Sequence, residues 1–349
     1  MSKQIRHLNE ASDITRLFDD FNKLKVMVIG DVMIDAYVFG TVDRISPEAP
    51  VPVVAVKERV NRLGGAANVA LNLHALGATT VLASVIGDDV KGSDFLELLR
   101  NENLTTDGII SSPNRITTTK FRVIGNKVQM LRVDEEMTSD INEKEVQALL
   151  HKVESILADE KIDVIILQDY NKGVLTENVI LQLIQIAGNY HIPVAVDPKK
   201  KHFHAYSGVS FFKPNLKELK DGLGLVFDPA SISSVKGAVQ TLQEFLKVDI
   251  VMATLSEKGV LISKKANPDN SIQFTHIPAH IRAIADVSGA GDTVISVAAL
   301  CLALNLDTDW LAEMSNLAGG LVCEQLGVVS VDKNKLQAEA FKVIASKKA

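Results

Sequence analysis

The sequence predicts an α/β fold in which a mostly parallel β-sheet is covered by helices on both faces. Short apolar runs at 25–31, 163–169 and 192–198 (KVMVIGD, DVIILQD and IPVAVDP) alternate with amphipathic stretches of helical length. This alternation is typical of βα units, whose helices bury both faces of a parallel sheet. Two stretches, 37–56 and 115–134, break the alternation and indicate a second, smaller sheet.

The individual elements follow from this pattern along the chain. After the first strand, GAANVALNLHALGA (65–78) predicts a helix that ends at Gly77, because glycine adopts the left-handed conformation that commonly follows a helix end. The other predicted elements are helices at 88–103 and 177–190, strands at 79–87, 249–255 and 259–263, and three helices from Gly289 onward.

The two interrupting stretches predict a lid. The first carries Pro47, Pro50 and Pro52, and proline within a strand implies a sheet edge or a bend. The second is β-branched, and Gly125-Asn126 at its middle predicts a hairpin with a two-residue turn. We expect segments of about 36–58 and 115–133 to form a small antiparallel sheet over the strand ends. An exposed face on that sheet would favour pairing with a second subunit, so a homodimer through the lid is expected.

The composition and the net charge of the chain limit the classes of function that it can have. With 46% hydrophobic and 23% charged residues, the chain has the composition of a globular protein, and its net charge of −6 argues against a nucleic-acid partner. The N-terminal stretch has no apolar signal region, and no apolar run reaches membrane-spanning length, so a cytoplasmic protein without a membrane partner is expected. Cys301 and Cys323 lie in apolar helical patterns and are expected to be core residues. We expect a helical extension at 1–23 and one domain at 24–349 that includes the lid.

The stretch DVSGAGDTVISVAAL (286–300) is the first candidate for chemistry. A helix that begins at Gly289, Ala290 and Gly291 offers free backbone amides and its positive dipole end to an anion. Asp292 would then lie beside that anion, where it could accept a proton, and an ordinary Asp pKa of about 4 would keep it ionised. The alternative is a first-turn Asp that favours the helix dipole, with glycines for packing, and these four residues alone do not decide between the two.

Other polar residues stand at positions where ligands bind. Gly64-Gly65 precedes a predicted helix with Asn68 one turn in, where a capping or packing role is the alternative. Asn215 and Glu218 have the i, i+3 spacing that suits a hydrated Mg²⁺, although a capping box explains them equally well. Candidates for a nucleotide contact, or for a simple turn, are Thr254, Ser256 and Gly259. The polar residues that follow strand-like runs, where α/β sheets bind ligands, are Asp31, Asp169, Asp197 and Asn215.

Taken together, these motifs resemble one known family. The stretches 64–89 and 286–293 are similar to the two signature regions of the ribokinase-like (PfkB-type) carbohydrate kinases. NLKE (215–218) resembles the family's N-x-x-E motif, and TLSEKG (254–259) resembles its ATP-side loop. The resemblance extends from about Leu24 to Val331. It implies a three-layer α/β/α ribokinase-like fold with a β lid, and transfer of the γ-phosphoryl group of ATP, with Mg²⁺, to a sugar hydroxyl.

The resemblance also implies roles for individual residues. Asp292 would be the general base, and the amides of Gly289, Ala290 and Gly291 would hold the transferring phosphoryl group. A monovalent cation beside these amides is a candidate additional cofactor. Substrate binding is expected from Asp31, Asp35, Arg44, Gly64, Gly65, Asn68, Arg132, Asp169 and Lys172. Nucleotide binding is expected from Asp197, Lys199, Asn215, Glu218, Thr254, Ser256, Gly259 and Asn316, with Asn215 and Glu218 holding Mg²⁺ through water. The chain departs from the family at Met33, where an Asn is frequent, and at Ser256, where Gly is usual.

Within the family, the segments 30–54, 168–175 and 196–200 resemble the kinases that phosphorylate D-glycero-β-D-manno-heptose 7-phosphate at O1 for lipopolysaccharide biosynthesis. A site for a phosphorylated sugar needs cationic side chains, although the net charge of the chain is negative. The candidates are Arg44, Arg132, Lys172 and Lys199. Alternatives are a kinase for fructose phosphate, ribose or a nucleoside, and a non-catalytic sugar-binding regulator. The chain has no H-x-G-H motif of an adenylyltransferase, so a separate protein is expected to supply that step.

Overall fold

The large β-sheet is the centre of the molecule. The computed structural model describes residues 5–265, 271–280 and 282–347, so the ends of the predicted terminal segments, 1–4 and 348–349, lie outside the described residues. The strands are β1 (Lys25–Gly30), β2 (Val32–Ile45), β3 (Pro52–Gly65), β4 (Thr79–Gly87), β5 (Ile109–Ser112), β6 (Thr119–Gly125), β7 (Val128–Glu135), β8 (Val164–Gln168), β9 (Val194–Asp197), β10 (Phe211–Phe212), β11 (Ile250–Thr254), β12 (Val260–Lys265) and β13 (Ile272–Ile277).

The helices lie between and after these strands. They are α1 (Ala11–Phe21), α2 (Ala66–Ala75), α3 (Val90–Asn101), α4 (Glu143–Asp159), α5 (Glu177–Asn189), α6 (Leu216–Leu223), α7 (Ile232–Leu246), α8 (Ala290–Ala303), α9 (Thr308–Val322) and α10 (Lys333–Ser346). The helices predicted at 65–78, 88–103 and 177–190 correspond to α2, α3 and α5, and the three predicted after Gly289 are α8 to α10.

The strand order defines a doubly covered sheet. Among the described residues, nine strands pair in the order β13-β12-β11-β10-β9-β8-β1-β4-β5, and only the β11–β12 and β12–β13 pairs are antiparallel. Alternate residues of β1 enter two different cores: Val26 and Val28 pack on one side of the sheet, and Met27 and Ile29 on the other. The first core includes side chains of α1, α2, α3, α8, α9 and α10, and the second those of α4 to α7. The predicted three-layer α/β/α class is therefore confirmed.

A smaller sheet of four strands, counted within the described chain, has the order β3-β2-β6-β7. We call it the lid. The hairpin predicted at its edge is present, but its turn is Asn126-Lys127 rather than Gly125-Asn126, because Gly125 still pairs with Val128. Both turn residues have positive φ, 50° and 67°, as a type I′ turn requires. Gly125 instead allows close packing, since an added Cβ would lie 2.5 Å from the Cγ2 atom of Val42.

Residues of the N-terminal segment pack into the same core as the sheet. Ile14, Leu17 and Phe18 of α1 are buried there, and the indole nitrogen of Trp310 donates a hydrogen bond to the Leu8 carbonyl at 3.0 Å. The two cysteines, Cys301 and Cys323, are buried and unbridged, as expected for core residues. In the ranges that the structure describes, none of the helices combines the length and the apolar character needed to span a membrane.

Candidate active site

The candidate site lies at the carboxyl ends of the parallel strands, where the strand order reverses between β1 and β8. Ligands of open α/β sheets bind in such a crevice. Asp31 directly follows β1, Gln168 ends β8 and Asp197 ends β9. Asn215 forms a β-bridge to Thr254 at the end of β11, so the predicted sugar-side and nucleotide-side residues flank one centre.

The N-terminus of α8 faces this centre. Gly289 is the residue before the helix and has a φ of 80°, in the left-handed region that favours glycine. An added Cβ there would also lie 3.0 Å from the amide nitrogen of Asn68. A Cβ on Gly291 would come within 3.7 Å of the Lys213 ammonium, so a cation lies beside the first turn of the helix. The helix dipole, the first-turn amides and the ammonium together favour an anion at this position, although the Ala290 amide already donates to the Val287 carbonyl at 3.3 Å.

Asp292 lies in the first turn of α8 and is only 4% exposed. Its Oδ2 accepts a hydrogen bond from Asn68 Nδ2 at 2.7 Å. Its Oδ1 accepts from Tyr170 Oη at 2.7 Å and from Gln168 Nε2 at 3.1 Å. Burial raises the pKa of this carboxyl to about 6, and the donors from Asn68 and Tyr170 offset only part of that effect. The ordinary pKa of about 4 expected from the sequence is therefore wrong, because the carboxyl is buried.

This raised pKa predicts the pH dependence of any reaction in which Asp292 is the base. A base must be ionised, so lowering the pH below about 6 protonates the carboxyl and removes it from the active population. We expect turnover to fall about tenfold per pH unit on that acid side and to level off above it. A plot of turnover against pH from 4.5 to 8.5 measures this, and an acid limb centred near pH 4 would contradict it.

Three residues near Asp292 were not singled out in the sequence, and they are Gln168, Lys213 and Tyr170. Lys213 is 3% exposed and its ammonium lies 3.1 Å from Asp197 Oδ2. The ammonium groups of Lys120 and Lys199 lie 5.5 and 5.4 Å from the ring centre of Tyr170. Only their position at or within two residues of the ends of β8 and β10 could have indicated them, and in the sequence that position is shared with many structural residues.

Asp31 and Asp169 hold a loop that borders the centre. The carboxylate of Asp31 accepts hydrogen bonds from the backbone amides of Tyr170, Lys172 and Val174 at 2.8 to 3.0 Å. Asp169 accepts from the Asn171 amide and from the Tyr206 hydroxyl. Burial, followed by the charge of Asp31, raises the pKa of Asp169 to about 6. In the structure both carboxylates hold residues 170–174 through hydrogen bonds from backbone amides. Their contact with a sugar stays a prediction.

On the lid side, Asp35 is buried and pairs with Arg122, whose guanidinium stacks over the Tyr37 ring at 5.3 Å. Gly64 is required beside Asp35, because an added Cβ would lie 2.2 Å from Asp35 Oδ2. Gly65 has a φ of 61° and packs against the Asp31 carbonyl. These residues and Asn68 are thus gathered around the first turn of α2.

Not all of the cationic side chains that were predicted to bind the substrate phosphate lie near the centre. Lys172 pairs with Glu136 at 2.8 Å, and Arg132 pairs with Asp134 on β7. Lys120 on β6, which the sequence analysis did not select, lies near them, and burial lowers its pKa. Arg44 is exposed, nine residues beyond Asp35 along β2 or about 30 Å at the usual rise per residue, so the structure does not bring it to the centre.

Residues 23–334 match the profile described as pfkB family carbohydrate kinase. The chain belongs to the pfkB family of carbohydrate kinases. The family resemblance and the prediction of a sugar kinase are thereby confirmed. Asp292 and the α8 N-terminus lie in the part of the chain that the family profile matches.

Curated relatives support this membership. The chain is 38% identical over 314 residues to Bifunctional protein HldE of Methylobacillus flagellatus, a match that covers 90% of the chain and 62% of the relative. Proteins of the same name from Caulobacter vibrioides and Helicobacter pylori are 40% and 36% identical, over 90% and 87% of this chain. The chain therefore spans somewhat less than two thirds of the length of these bifunctional relatives.

Solved pfkB-type structures share the fold. Phosphofructokinase-2 of Escherichia coli in complex with fructose-6-phosphate aligns with a TM-score of 0.72 and 19% identity, over 93% of this chain and 99% of that one. The ribokinase of Arabidopsis thaliana with ribose and ATP aligns with a TM-score of 0.68 and 16% identity, over 91% and 99% of the chains.

On the nucleotide side of this pfkB fold, α6 begins with a capping box. Asn215 Oδ1 accepts from the Glu218 amide at 2.8 Å, and Glu218 Oε2 accepts from the Asn215 amide at 2.9 Å. The other oxygen of Glu218 bonds to the Lys199 ammonium. Burial by itself lowers the pKa of Lys199. The charges of Asp197 and Glu218 together raise this pKa by more than burial lowers it, so the net effect is a raised pKa. Asn215 and Glu218 therefore cap the helix, as the alternative interpretation expected. The Lys199 ammonium already lies beside the Glu218 carboxylate.

The remaining predicted nucleotide residues lie around one loop. Ser256 and Gly259, on the loop between β11 and β12, both have positive φ, 55° and 85°. Gly259 packs against the backbone of Pro278, and Asn316 of α9 donates a hydrogen bond to the Pro278 carbonyl at 2.8 Å. Thr254 donates its amide to the Pro214 carbonyl. These residues thus border one surface next to Asn215.

Proposed function

We propose that this pfkB family kinase transfers the γ-phosphoryl group of ATP to O1 of D-glycero-β-D-manno-heptose 7-phosphate. The observation that carries the proposal is the group of cations on the lid that borders the Asp292 centre. A sugar that already carries a phosphate needs such cations in a chain of net charge −6. Further support comes from the segments similar to heptose 7-phosphate kinases and from the identity to the bifunctional HldE proteins.

The register of the lid strands sets these cations on one face. Asp35 pairs with Lys120, and Lys120 pairs with Asp134, so their side chains point to the same side of the sheet. The next row on that face contains Tyr37, Arg122 and Arg132. Lys120 approaches the ring of Tyr170, which in turn bonds to Asp292. The 7-phosphate of the substrate would be held by Lys120, Lys172 and Arg132, with the sugar between them and the base.

The chemistry then follows from positioning and charge. The acceptor hydroxyl of the sugar gives its proton to Asp292 while its oxygen forms a bond to the γ-phosphorus. At the same time the bond from that phosphorus to the bridging oxygen of ATP breaks, and ADP leaves. The Gly289, Ala290 and Gly291 region of α8 and the Lys213 ammonium stabilise the negative charge on the transferring group.

Asn215 and Glu218 fit a hydrated Mg²⁺ that is bound mainly through nucleotide phosphates. Within the described ranges, no cluster of three or more His, Cys, Asp or Glu side chains could hold a metal by itself. Mg²⁺ in kinases binds one or two carboxylates together with phosphates and water, which agrees with this sparse donor set. When bound, the ion neutralises charge on the phosphates and orients them toward the acceptor hydroxyl. A monovalent cation near the α8 N-terminus remains a candidate in the same proposal.

Turnover measured by ADP release tests the substrate assignment. The panel contains the α and β anomers of the heptose 7-phosphate, the unphosphorylated heptose, fructose 6-phosphate and ribose. We expect rapid turnover on one heptose 7-phosphate anomer and a specificity constant at least tenfold lower for every other sugar. Equal or better use of fructose 6-phosphate would contradict the assignment and leave a sugar kinase of different preference.

Lys120→Met tests the phosphate contact. Loss of a hydrogen bond to a charged group costs about 1.5–3 kcal/mol, which corresponds to a rise of about tenfold to a hundredfold in KM for the sugar phosphate. KM for ATP should stay unchanged. Lys127→Met, in the exposed hairpin turn of the same lid, is the control. An unchanged KM for the sugar phosphate in Lys120→Met would exclude Lys120 from the phosphate site.

We also propose that the lid pairs with a second copy of the chain. The face opposite the cations contains Phe121 beside Val133 and Val123 beside Leu131, and Leu131 and Val133 are 56% and 49% exposed. Aliphatic patches of this kind commonly mark interfaces. Leu131→Asp is expected to convert a dimer to a monomer in light scattering, whereas Lys127→Asp is not. A wild-type protein that is monomeric at micromolar concentration would contradict this pairing.

The proposal includes a cytoplasmic place of action, since ATP and soluble sugar phosphates are its substrates. The product, an anomeric phosphate of a heptose, serves lipopolysaccharide core biosynthesis in this assignment. The nucleotidyl transfer of the same biosynthesis would come from a different catalytic centre.

A further inference from the structure

Gln168 is a buried amide that joins the two carboxylates at the catalytic centre. It is the last residue of β8 and is 0% exposed. Its Nε2 atom donates one hydrogen bond to Asp292 Oδ1 and one to Asp197 Oδ2, both at 3.1 Å. A side-chain amide nitrogen has two hydrogens, so both are used here.

The orientation of this amide is determined by its neighbours. If the amide were rotated by 180°, its oxygen would face two carboxylate oxygens, and three acceptors would meet without a donor. Within the described residues, the Gln168 Oε1 atom has no hydrogen-bond partner, although it is buried. The two bonds to carboxylates therefore outweigh the unpaired oxygen.

The charges around Asp292 are unevenly distributed. Asp197 at the end of β9 has its own cation, since Lys213 contacts the same Oδ2 atom that Gln168 contacts. Asp292 has neutral donors from Asn68, Tyr170 and Gln168. The titratable groups that act on Asp292 are Tyr170 after β8, Asp197 of β9 and Lys213 after β10. The buried acid of the neighbouring helix α9, Glu313, is bonded to His280 instead.

The bonding pattern distinguishes the two oxygens of the base. Oδ1 accepts from both Gln168 and Tyr170, and a carboxylate oxygen has two lone pairs in its plane. Oδ2 accepts only from Asn68 among the hydrogen bonds of the described side chains, so one of its lone pairs stays available. An incoming hydroxyl can therefore reach Oδ2 without displacing a donor.

We propose that Gln168 is a positioning residue that holds Oδ1 of Asp292, favours its ionised form, and so directs the proton of the acceptor hydroxyl to Oδ2. This inference rests on the proposed role of Asp292 as the base. The proton leaves the hydroxyl oxygen for Oδ2 as that oxygen bonds to the γ-phosphorus, and no other reactant is needed. Gln168 itself touches neither substrate and acts only through Asp292.

Gln168→Met tests this role, because methionine has a similar length but donates no hydrogen bond. The first measurement is a ¹³C NMR titration of the Asp carboxyls in the protein without substrates, with the Asp292 signal identified by its loss in Asp292→Asn. Removal of a donor to the charged form should raise the pKa of Asp292 by about one unit. Gln243→Met is the matched control, since Gln243 is also fully buried and donates its amide to the Asp249 carbonyl far from the centre.

The second measurement is turnover as a function of pH. With its acid limb displaced by about one unit, Gln168→Met should lose about threefold more turnover at pH 6.5 than at pH 8.5. A merely structural role predicts the same loss at both pH values. Gln168→Leu serves as a second variant should Gln168→Met fold poorly, because leucine also fills an apolar volume and donates no hydrogen bond, so the pKa should shift in the same direction.

An unchanged pKa of Asp292 in both Gln168 variants would overturn the inference. If Asp292→Asn kept its turnover, the base assignment would fail instead, and the two failures are distinguishable because the titration needs no substrate.

Discussion

Asp292→Asn is expected to reduce turnover by about 10²–10⁴, the usual contribution of a general base. Asparagine keeps the size of the side chain and its single oxygen can still accept from either Asn68 or Tyr170, but it cannot take a proton from the acceptor hydroxyl. KM for ATP should change little, because Asp292 faces the sugar side of the centre. Turnover and KM for both substrates, measured at pH 8, give the result.

The matched control for this substitution is Asp309→Asn. Asp309 also lies in the first turn of a helix, α9, but is exposed and accepts a hydrogen bond from Thr275. It should keep full turnover. An Asp292→Asn protein with half the wild-type turnover would contradict the role of Asp292 as the base.

Lys213→Met is expected to lower turnover by about 10²–10³, because one preorganised charged group at the transferring phosphoryl is lost. Lys213 lies beside the first turn of α8 and pairs with the buried Asp197. Its removal leaves that carboxylate without its cation, so the melting temperature should fall as well. Steady-state kinetics and a thermal melt of the same preparation separate the two effects.

The double variant Asp197→Asn/Lys213→Met provides the control for stability. Removing both members of a buried ion pair costs far less stability than removing one, so the melting temperature should recover. Turnover should stay low, since the ammonium is still missing. Lys213→Met with wild-type turnover, or a double variant with restored turnover, would show that Lys213 only balances the charge of Asp197.

The regular parts of the fold were predictable from local patterns. The strands that were predicted for the central sheet are largely apolar runs of four to nine residues, and β4 agrees with its predicted range, 79–87. Short or isolated elements were not predicted. β10 has two residues, Phe211 and Phe212, and no alternation can be recognised over that length. β13 pairs only at the sheet edge, next to β12, and carries no distinctive run.

The candidate catalytic motif at the start of α8 could be recognised in the sequence, but its four residues alone left two interpretations open, and the family resemblance selected the catalytic one. The electrostatic environment of Asp292 could not be predicted. The raised pKa of Asp292 depends on burial beneath residues from β8, α2 and the loop after β8, which are distant in the sequence. Lys213 and Gln168 were missed for a related reason, since each contacts a partner on another element, Asp197 of β9 for Lys213 and Asp292 of α8 for Gln168. The hairpin turn shifted by one residue because Gly125 is needed for packing against Val42.

Structure determination of the product by ³¹P NMR tests the central claim most directly. The kinase is incubated with ATP, Mg²⁺ and the heptose 7-phosphate, and the phosphates of the product are assigned by their coupling to sugar protons. The account predicts a bisphosphate with one phosphate on C7 and a second coupled to the anomeric proton, and no such product from Asp292→Asn. A second phosphate on any other carbon, or no bisphosphate from the wild-type protein, would contradict it.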